Sequence, residues 1–178
     1  MAEDIVLSGS TIYVKGDESI RPGIYYKTVK AIQYINKNYD YDILLRTNLS
    51  SFYNLDHLIK SHANLANSPI FYGGIYQFGR FVSGTGIFIS KKATEYLTLN
   101  DNYEIEHDDV LISRILSSSG SKLIKFDDNL MVYCCNDNSN LPSEGEIKNA
   151  LYFRIKNQNR QYDIELFHKL KAKLYPKL

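Results

Sequence analysis

The sequence has almost no net charge, no tryptophan, only two cysteines and no long apolar run, and most of these shortages exclude something. Lys and Arg number 21 and Asp and Glu 20, a net charge of +1. That gives no general pull toward nucleic acid or acidic membranes, so a wholly nonspecific DNA binder is not expected. No apolar stretch approaches the ~20 residues that span a bilayer. The start, MAEDIVLSGS, lacks the basic residues and apolar core of a secretory signal. The cysteines, Cys134 and Cys135, are adjacent. Neighbouring Cα atoms lie ~3.8 Å apart, too close for an unstrained disulfide. With no histidine at ligand spacing they do not form a zinc site either. A reduced pair and no export signal place the expected location in the cytoplasm, the host's if the protein is viral. The missing tryptophan, beside fifteen tyrosines and much Lys, Ile and Asn, has the look of an AT-rich genome and carries no mechanism.

What is present is ordinary globular material. The 178 residues, 44% hydrophobic and 23% charged, suit one domain with a proper core. There are no repeats or low-complexity segments. Residues 4–7 and 11–14 read as short strands separated by Ser8, Gly9 and Ser10. Tyr25, Val29, Ile32 and Ile35 recur at helical spacing and predict a helix from Tyr25 to Lys37. YDILLRTNL (41–49) reads as a buried strand, and 51–65 restores a helical period through Leu55, Leu58 and Ile59. Residues 68–86 are expected to be irregular and hold five of the ten glycines, which suggests a backbone shaped around something close by. Ser90 is a candidate N-cap for the next helix, and Glu106 or His107 for the one after. LIKFDDNLMVYC (123–134) returns to strand, and Ser143 with Glu146 has capping-box spacing. A last helix is expected over Asp163–Leu174. The core spans about 4–135, followed by a C-terminal helical segment over about 143–178. Alternating strands and helices predict an α/β domain with a mixed, mainly parallel central sheet flanked by helices.

In such a sheet, ligands bind beyond the carboxyl ends of the strands. Three groups fall at such places: Arg46-Thr47-Asn48 with Ser50, the turn Ser83-Gly84-Thr85-Gly86, and the acid pair Asp108-Asp109. Acids in a first helical turn are also favoured by the helix dipole alone. Two adjacent acids point different ways on a helix, so one general base is expected, and Asp109 is chosen. Arg46, ending a buried strand, needs a partner. Asp42, Asp17 and an anionic ligand are the alternatives.

DESIRPGIYYKTVKAIQYI, YDILLRTNLSSFYNLDHLIK, FYGG with RFVSGTGIFIS, and EHDDVLISRIL follow one another in unbroken order over roughly residues 10–125. In that order they resemble the nucleotide-sugar-dependent glycosyltransferases of the GT-A fold, nearest the fringe-like β1,3-glycosyltransferase group and its viral and bacterial relatives. The resemblance implies a single GT-A-like, Rossmann-like domain that transfers a sugar from a UDP- or GDP-sugar to a hydroxyl of a glycan or glycoprotein with inversion. Asp109, with Asp108 beside it, would be catalytic. Arg46, Asn48, Ser50, Arg154, Lys156 and Arg160 would bind the donor. Tyr72, Gly74, Phe81, Ser83, Gly84, Thr85 and Gly86 would form the acceptor and sugar side, with Tyr72 and Phe81 as candidates to stack on sugar rings.

The chain departs from the family twice. Where the family has Asp-x-Asp holding Mn²⁺ (or Mg²⁺) against the diphosphate, this chain has Asn48-Leu49-Ser50, poor partners for a hard cation. Cationic side chains must then neutralise the leaving group. The match also begins where the family's first βαβ unit has ended, so the chain reads as a shortened version or one lacking that segment. The other class of reading is a non-catalytic carbohydrate- or nucleotide-binding relative.

Overall fold

The computed structural model describes residues 5–65, 68–100 and 106–176. The chain forms two compact units, one from residues 1–46 and 68–125, the other from 47–67 and 126–178.

In the first unit, β1 (Ile5–Ser8) and β2 (Thr11–Val14) form an antiparallel hairpin around Gly9. Asp4, expected at the head of the first strand, lies outside the described residues. Helix α1 (Gly23–Asn38) buries Tyr25, Val29 and Ile32 at the spacing seen in the sequence. A sheet then runs in the order β3 (Ile43–Arg46), β7 (Ile87–Ser90), β5 (Phe71–Gln77), β6 (Phe81–Val82), with β8 (Lys122–Phe126) also paired to β5. Helices α3 (Lys91–Leu99) and α4 (Asp108–Ser118) complete the unit. Ser90 Oγ caps α3 by accepting the Ala93 N–H at 3.4 Å. Ile87 and Ile89 from the sheet meet Val29 and Ile32 of α1, Leu97 of α3, and Leu111, Ile112, Ile115 and Leu116 of α4 in one core.

The second unit has the strand order β4 (Ser51–Tyr53), β10 (Tyr152–Ile155), β9 (Met131–Cys134), with a 3₁₀ turn at Asp128–Leu130 and helices α2 (Leu55–Leu65), α5 (Glu144–Asn149) and α6 (Arg160–Leu174). Phe52, Val132 and Phe153, in register across its three strands, pack with Ile147, Leu166 and Leu170. The capping box at α5 forms as the spacing predicts, with Ser143 Oγ accepting the Glu146 N–H and Glu146 Oε2 accepting the Ser143 N–H at 2.8 Å. Cys134 is buried and free, its thiol pushed up to about 12 by burial, while Cys135 is exposed and free.

Several expectations change. The architecture is mixed α/β, but the sheets are not mainly parallel. The pairings β3–β7, β7–β5, β5–β6, β1–β2 and β4–β10 are antiparallel, against parallel β9–β10. Parallel neighbours need a crossover of about a dozen residues or more, and β9–α5–β10 has one. The links around β5 and β6 are too short. Phe78 and Gly79, both with positive φ (52° and 65°), turn β5 into β6, and Arg80 N–H closes that turn on Gln77 O at 3.0 Å. The region expected to be irregular, 68–86, therefore contains two strands. Residues 51–53 are strand rather than the start of a helix, and 152–155, expected in a helical C-terminal segment, form the middle strand of the second unit's sheet.

Candidate active site

The carboxyl end of β3 carries Arg46, and the antiparallel register sets it opposite Ile87, the first residue after the turn Ser83–Gly86. The Arg46 side chain therefore crosses to that turn. Its Nη1 donates to Gly84 O at 2.6 Å, and its Nη2 pairs with the carboxylate of Asp108. Both side chains are 14% exposed, so this is a largely dehydrated ion pair. Arg46's partner is thus Asp108, neither Asp42 nor Asp17. Burial raises the Asp108 carboxyl above the usual carboxylate range, opposed by Arg46 and reinforced by neighbouring Asp109.

Asp109 faces the same turn from another side. Gly84 N–H donates to its Oδ2 at 3.0 Å, and Val110 N–H donates to its Oδ1 at 2.9 Å. One helical turn on, Ser113 Oγ accepts the Val82 N–H at 2.9 Å. Four residues of helix rise about 6 Å and two residues of strand about 6.6 Å. Asp109 and Ser113 are thus spaced to take the alternate amides of Val82 and Gly84. This fastens α4 to the turn and fixes the Asp109 carboxylate. Ser113 carries no mark in the sequence beyond standing four residues after Asp109.

The glycines make room for this. A Cβ on Gly84 would lie 2.6 Å from Arg46 Nη1 and 3.2 Å from Asp109 Oδ2. Gly74 has φ 152°, and a Cβ there would meet the carbonyl oxygen of Gly86 and lie 2.7 Å from Val82 Cγ1. Replacing Gly74 by Ala is expected to lower stability by about 1–3 kcal/mol, since it drives a methyl against backbone. Gly84→Ala meets a side-chain end that can move, so it is expected to cost less stability and to disturb Arg46 and Asp109 more. Urea unfolding of both variants checks the order; a Gly74 variant with an unchanged midpoint would refute it.

The remaining expected site residues divide. Ser83, Gly84, Thr85 and Gly86 are buried, and the Thr85 hydroxyl turns onto Ser83 Oγ at 3.1 Å, so they close the turn. Tyr72 is 3% exposed and belongs to the core, so it is not available to stack on a sugar; its position on β5 puts it there. Phe81 is half-buried with its ring 6.2 Å from that of Phe78, which is 85% exposed. Arg21 contacts His107, the residue before α4, a pairing that nothing in the sequence spacing announces.

Asn48, Ser50, Arg154, Lys156 and Arg160 belong to the second unit. Asn48 Oδ1 accepts from Ser50 N–H (3.3 Å), Ser51 Oγ (3.2 Å) and Arg154 Nη1 (2.6 Å). Arg160 pairs with Asp163, whose Oδ1 holds both the N–H and the Nδ2 of Asn157 at 2.8 Å. Lys156 is exposed. This turn does not suit a divalent metal. Its one amide oxygen is already occupied, by a guanidinium among others, and a second positive charge there would be repelled. Among the described residues, no group of three or more His, Cys, Asp or Glu is gathered as a metal site. Nor is any helix long and apolar enough to cross a membrane.

No protein-family model matches the chain, and no curated protein matches it either.

Proposed function

We propose that this protein is a GT-A-type glycosyltransferase that moves a sugar from a nucleotide-sugar donor to a carbohydrate hydroxyl with inversion. The observation that carries this reading is the Asp109 carboxylate, oriented by the Gly84 amide beside a turn whose glycine leaves no side chain over it. A general base needs a fixed carboxylate with a free lone pair, and each Asp109 oxygen keeps one beyond its backbone bond. In the reaction, Asp109 takes the proton of the acceptor hydroxyl as its oxygen bonds to the anomeric carbon. The bond from that carbon to the donor oxygen breaks, and its electron pair leaves on the nucleoside diphosphate. Asp108 is matched to Arg46 and does not share this task; it positions Arg46 on the turn. The same reading assigns donor binding to Asn48, Ser50, Arg154, Lys156 and Arg160.

A second reading, a non-catalytic sugar- or nucleotide-binding relative, is favoured by one observation: the charge of Arg46 is already answered within the protein. The two are separated by incubating the chain with a panel of UDP- and GDP-sugars, with and without Mn²⁺. Melting temperature and released nucleoside diphosphate are both followed. A transferase is expected to release diphosphate slowly even without acceptor. A binding module raises the melting temperature, by ~2.7 kcal/mol of stability at 100 times Kd, and releases none. No shift and no release with any donor would end both readings.

A further inference from the structure

We propose that the β4–β10–β9 sheet carries a metal-free site for a nucleoside diphosphate, with Arg154 holding the phosphates and Tyr133 stacking on the base. The proposal rests on the transfer reading only for the identity of the ligand. The register sets Ser51, Arg154 and Tyr133 side by side across the three strands, so their side chains share one face. The opposite face carries Phe52, Phe153 and Val132 into the core.

Arg154 is half-buried, and its side-chain hydrogen bond goes to a neutral acceptor, Asn48 Oδ1, through one of its five N–H groups. Among the described residues, no carboxylate lies within ion-pair distance of it. The charged or titratable groups that bear on it are Tyr133, Tyr152, Cys135 and a second cation, Arg160. A guanidinium so placed lacks a counter-charge, and its fork fits phosphate oxygens in pairs. Asn48, held by Ser50 and Ser51, pins the Arg154 end and makes the site preformed. Next to Arg154, one strand spacing of about 4.8 Å away, stands Tyr133. It is an aromatic side chain 58% exposed on a strand whose alternate residue is core. An exposed ring beside an unmatched guanidinium offers a flat surface for a base while the phosphates meet the charge.

Isothermal titration in EDTA with UDP, GDP and inorganic pyrophosphate tests this on the full chain, Arg154→Met and Tyr133→Ser, with urea unfolding as a check of each fold. UDP or GDP is expected to bind without metal. Arg154→Met is expected to weaken nucleotide and pyrophosphate alike by about tenfold or more. Tyr133→Ser is expected to weaken the nucleotide by about tenfold and leave pyrophosphate unchanged. Should Arg154→Met fail to fold, the Tyr133 contrast decides alone. Nucleotide binding that requires Mn²⁺, that is absent, or that a folded Arg154→Met leaves intact overturns the site. Binding that follows this pattern in a chain that releases no diphosphate from any donor supports the site and removes the transferase. Diphosphate release that Arg154→Met does not impair, with nucleotide affinity unchanged, does the reverse.

Discussion

Asp109→Asn is expected to lower sugar transfer, and diphosphate release in the presence of acceptor, by about 10²–10⁴-fold, the usual contribution of a general base. The substitution keeps the bond that fastens the turn. The amide oxygen of Asn accepts the Gly84 N–H as Oδ2 does now, so α4 stays fastened to the turn, and Ser113 keeps its bond to Val82. What is lost is the basic oxygen, the bond from Val110 N–H that Oδ1 accepts and an amide nitrogen cannot, and a negative charge near the start of α4, the charge worth about 0.3–1 kcal/mol. Asp109→Ala is the contrasting variant, because it removes the carboxylate's bonds to both the Gly84 and Val110 amides and damages both fold and activity. Initial rates under saturating donor, with circular dichroism for the fold, distinguish them. If Asp109→Asn turns over within a few-fold of the parent, the base is another group.

Arg46→Met is expected to cost about 3–5 kcal/mol of stability at neutral pH, a large share of the whole for a domain of this size. It strands the Asp108 carboxylate, 14% exposed, with its counter-charge removed. The double variant Arg46→Met with Asp108→Leu removes the stranded charge and is expected to recover most of the loss. The effect also depends on pH. The Asp108 pKa is raised in the folded chain, so the folded state binds the proton more tightly than the unfolded state. Stability therefore falls as pH climbs from the ordinary carboxylate value through the raised one, and the cost is complete above it. Removing Arg46 takes away the attraction that opposes this shift, which widens the window upward. Arg46→Met is then least harmful in mildly acidic buffer and worst in mildly alkaline buffer. Urea midpoints across pH measure this. Equal losses in the single and double variants, or a loss that does not grow with pH, would contradict the pairing.

Much of the local structure could be read from residue order. The period of Tyr25, Val29 and Ile32 marks α1, Ser90 caps α3, and the Ser143–Glu146 box starts α5. These elements depend on side chains three or four apart, a distance any single sequence displays. The short strands β4 and β10 were not legible. Ser51–Tyr53 runs into the helical period of Leu55 and Leu58, and Tyr152–Ile155 is a four-residue strand between polar segments. Their identity lies in pairing with each other across some hundred residues. Strand direction was misread for the same reason, since the alternation of strand and helix says nothing of the Phe78-Gly79 turn that folds the sheet back.

The candidate site divides along the same line. That glycines gather over 68–86, an acid pair opens α4 and a cation ends β3 was legible in the sequence alone, because propensity, dipole and strand burial act on near neighbours; that 74 and 84 must be glycine follows from distant groups, Gly86 O and Val82 for one and Arg46 and Asp109 for the other. Only the tertiary structure decided which acid meets the cation. Arg46 and Asp108 stand 62 residues apart, and Gly84 and Asp109 stand 25 apart. Hydrogen bonds between such groups form only once the sheet and α4 have buried their apolar faces against each other. Packing within the first unit placed Tyr72 in the core, and packing within the second left Arg154 without a counter-charge among the described residues, since burial and charge balance belong to the assembled surface rather than to the order of residues.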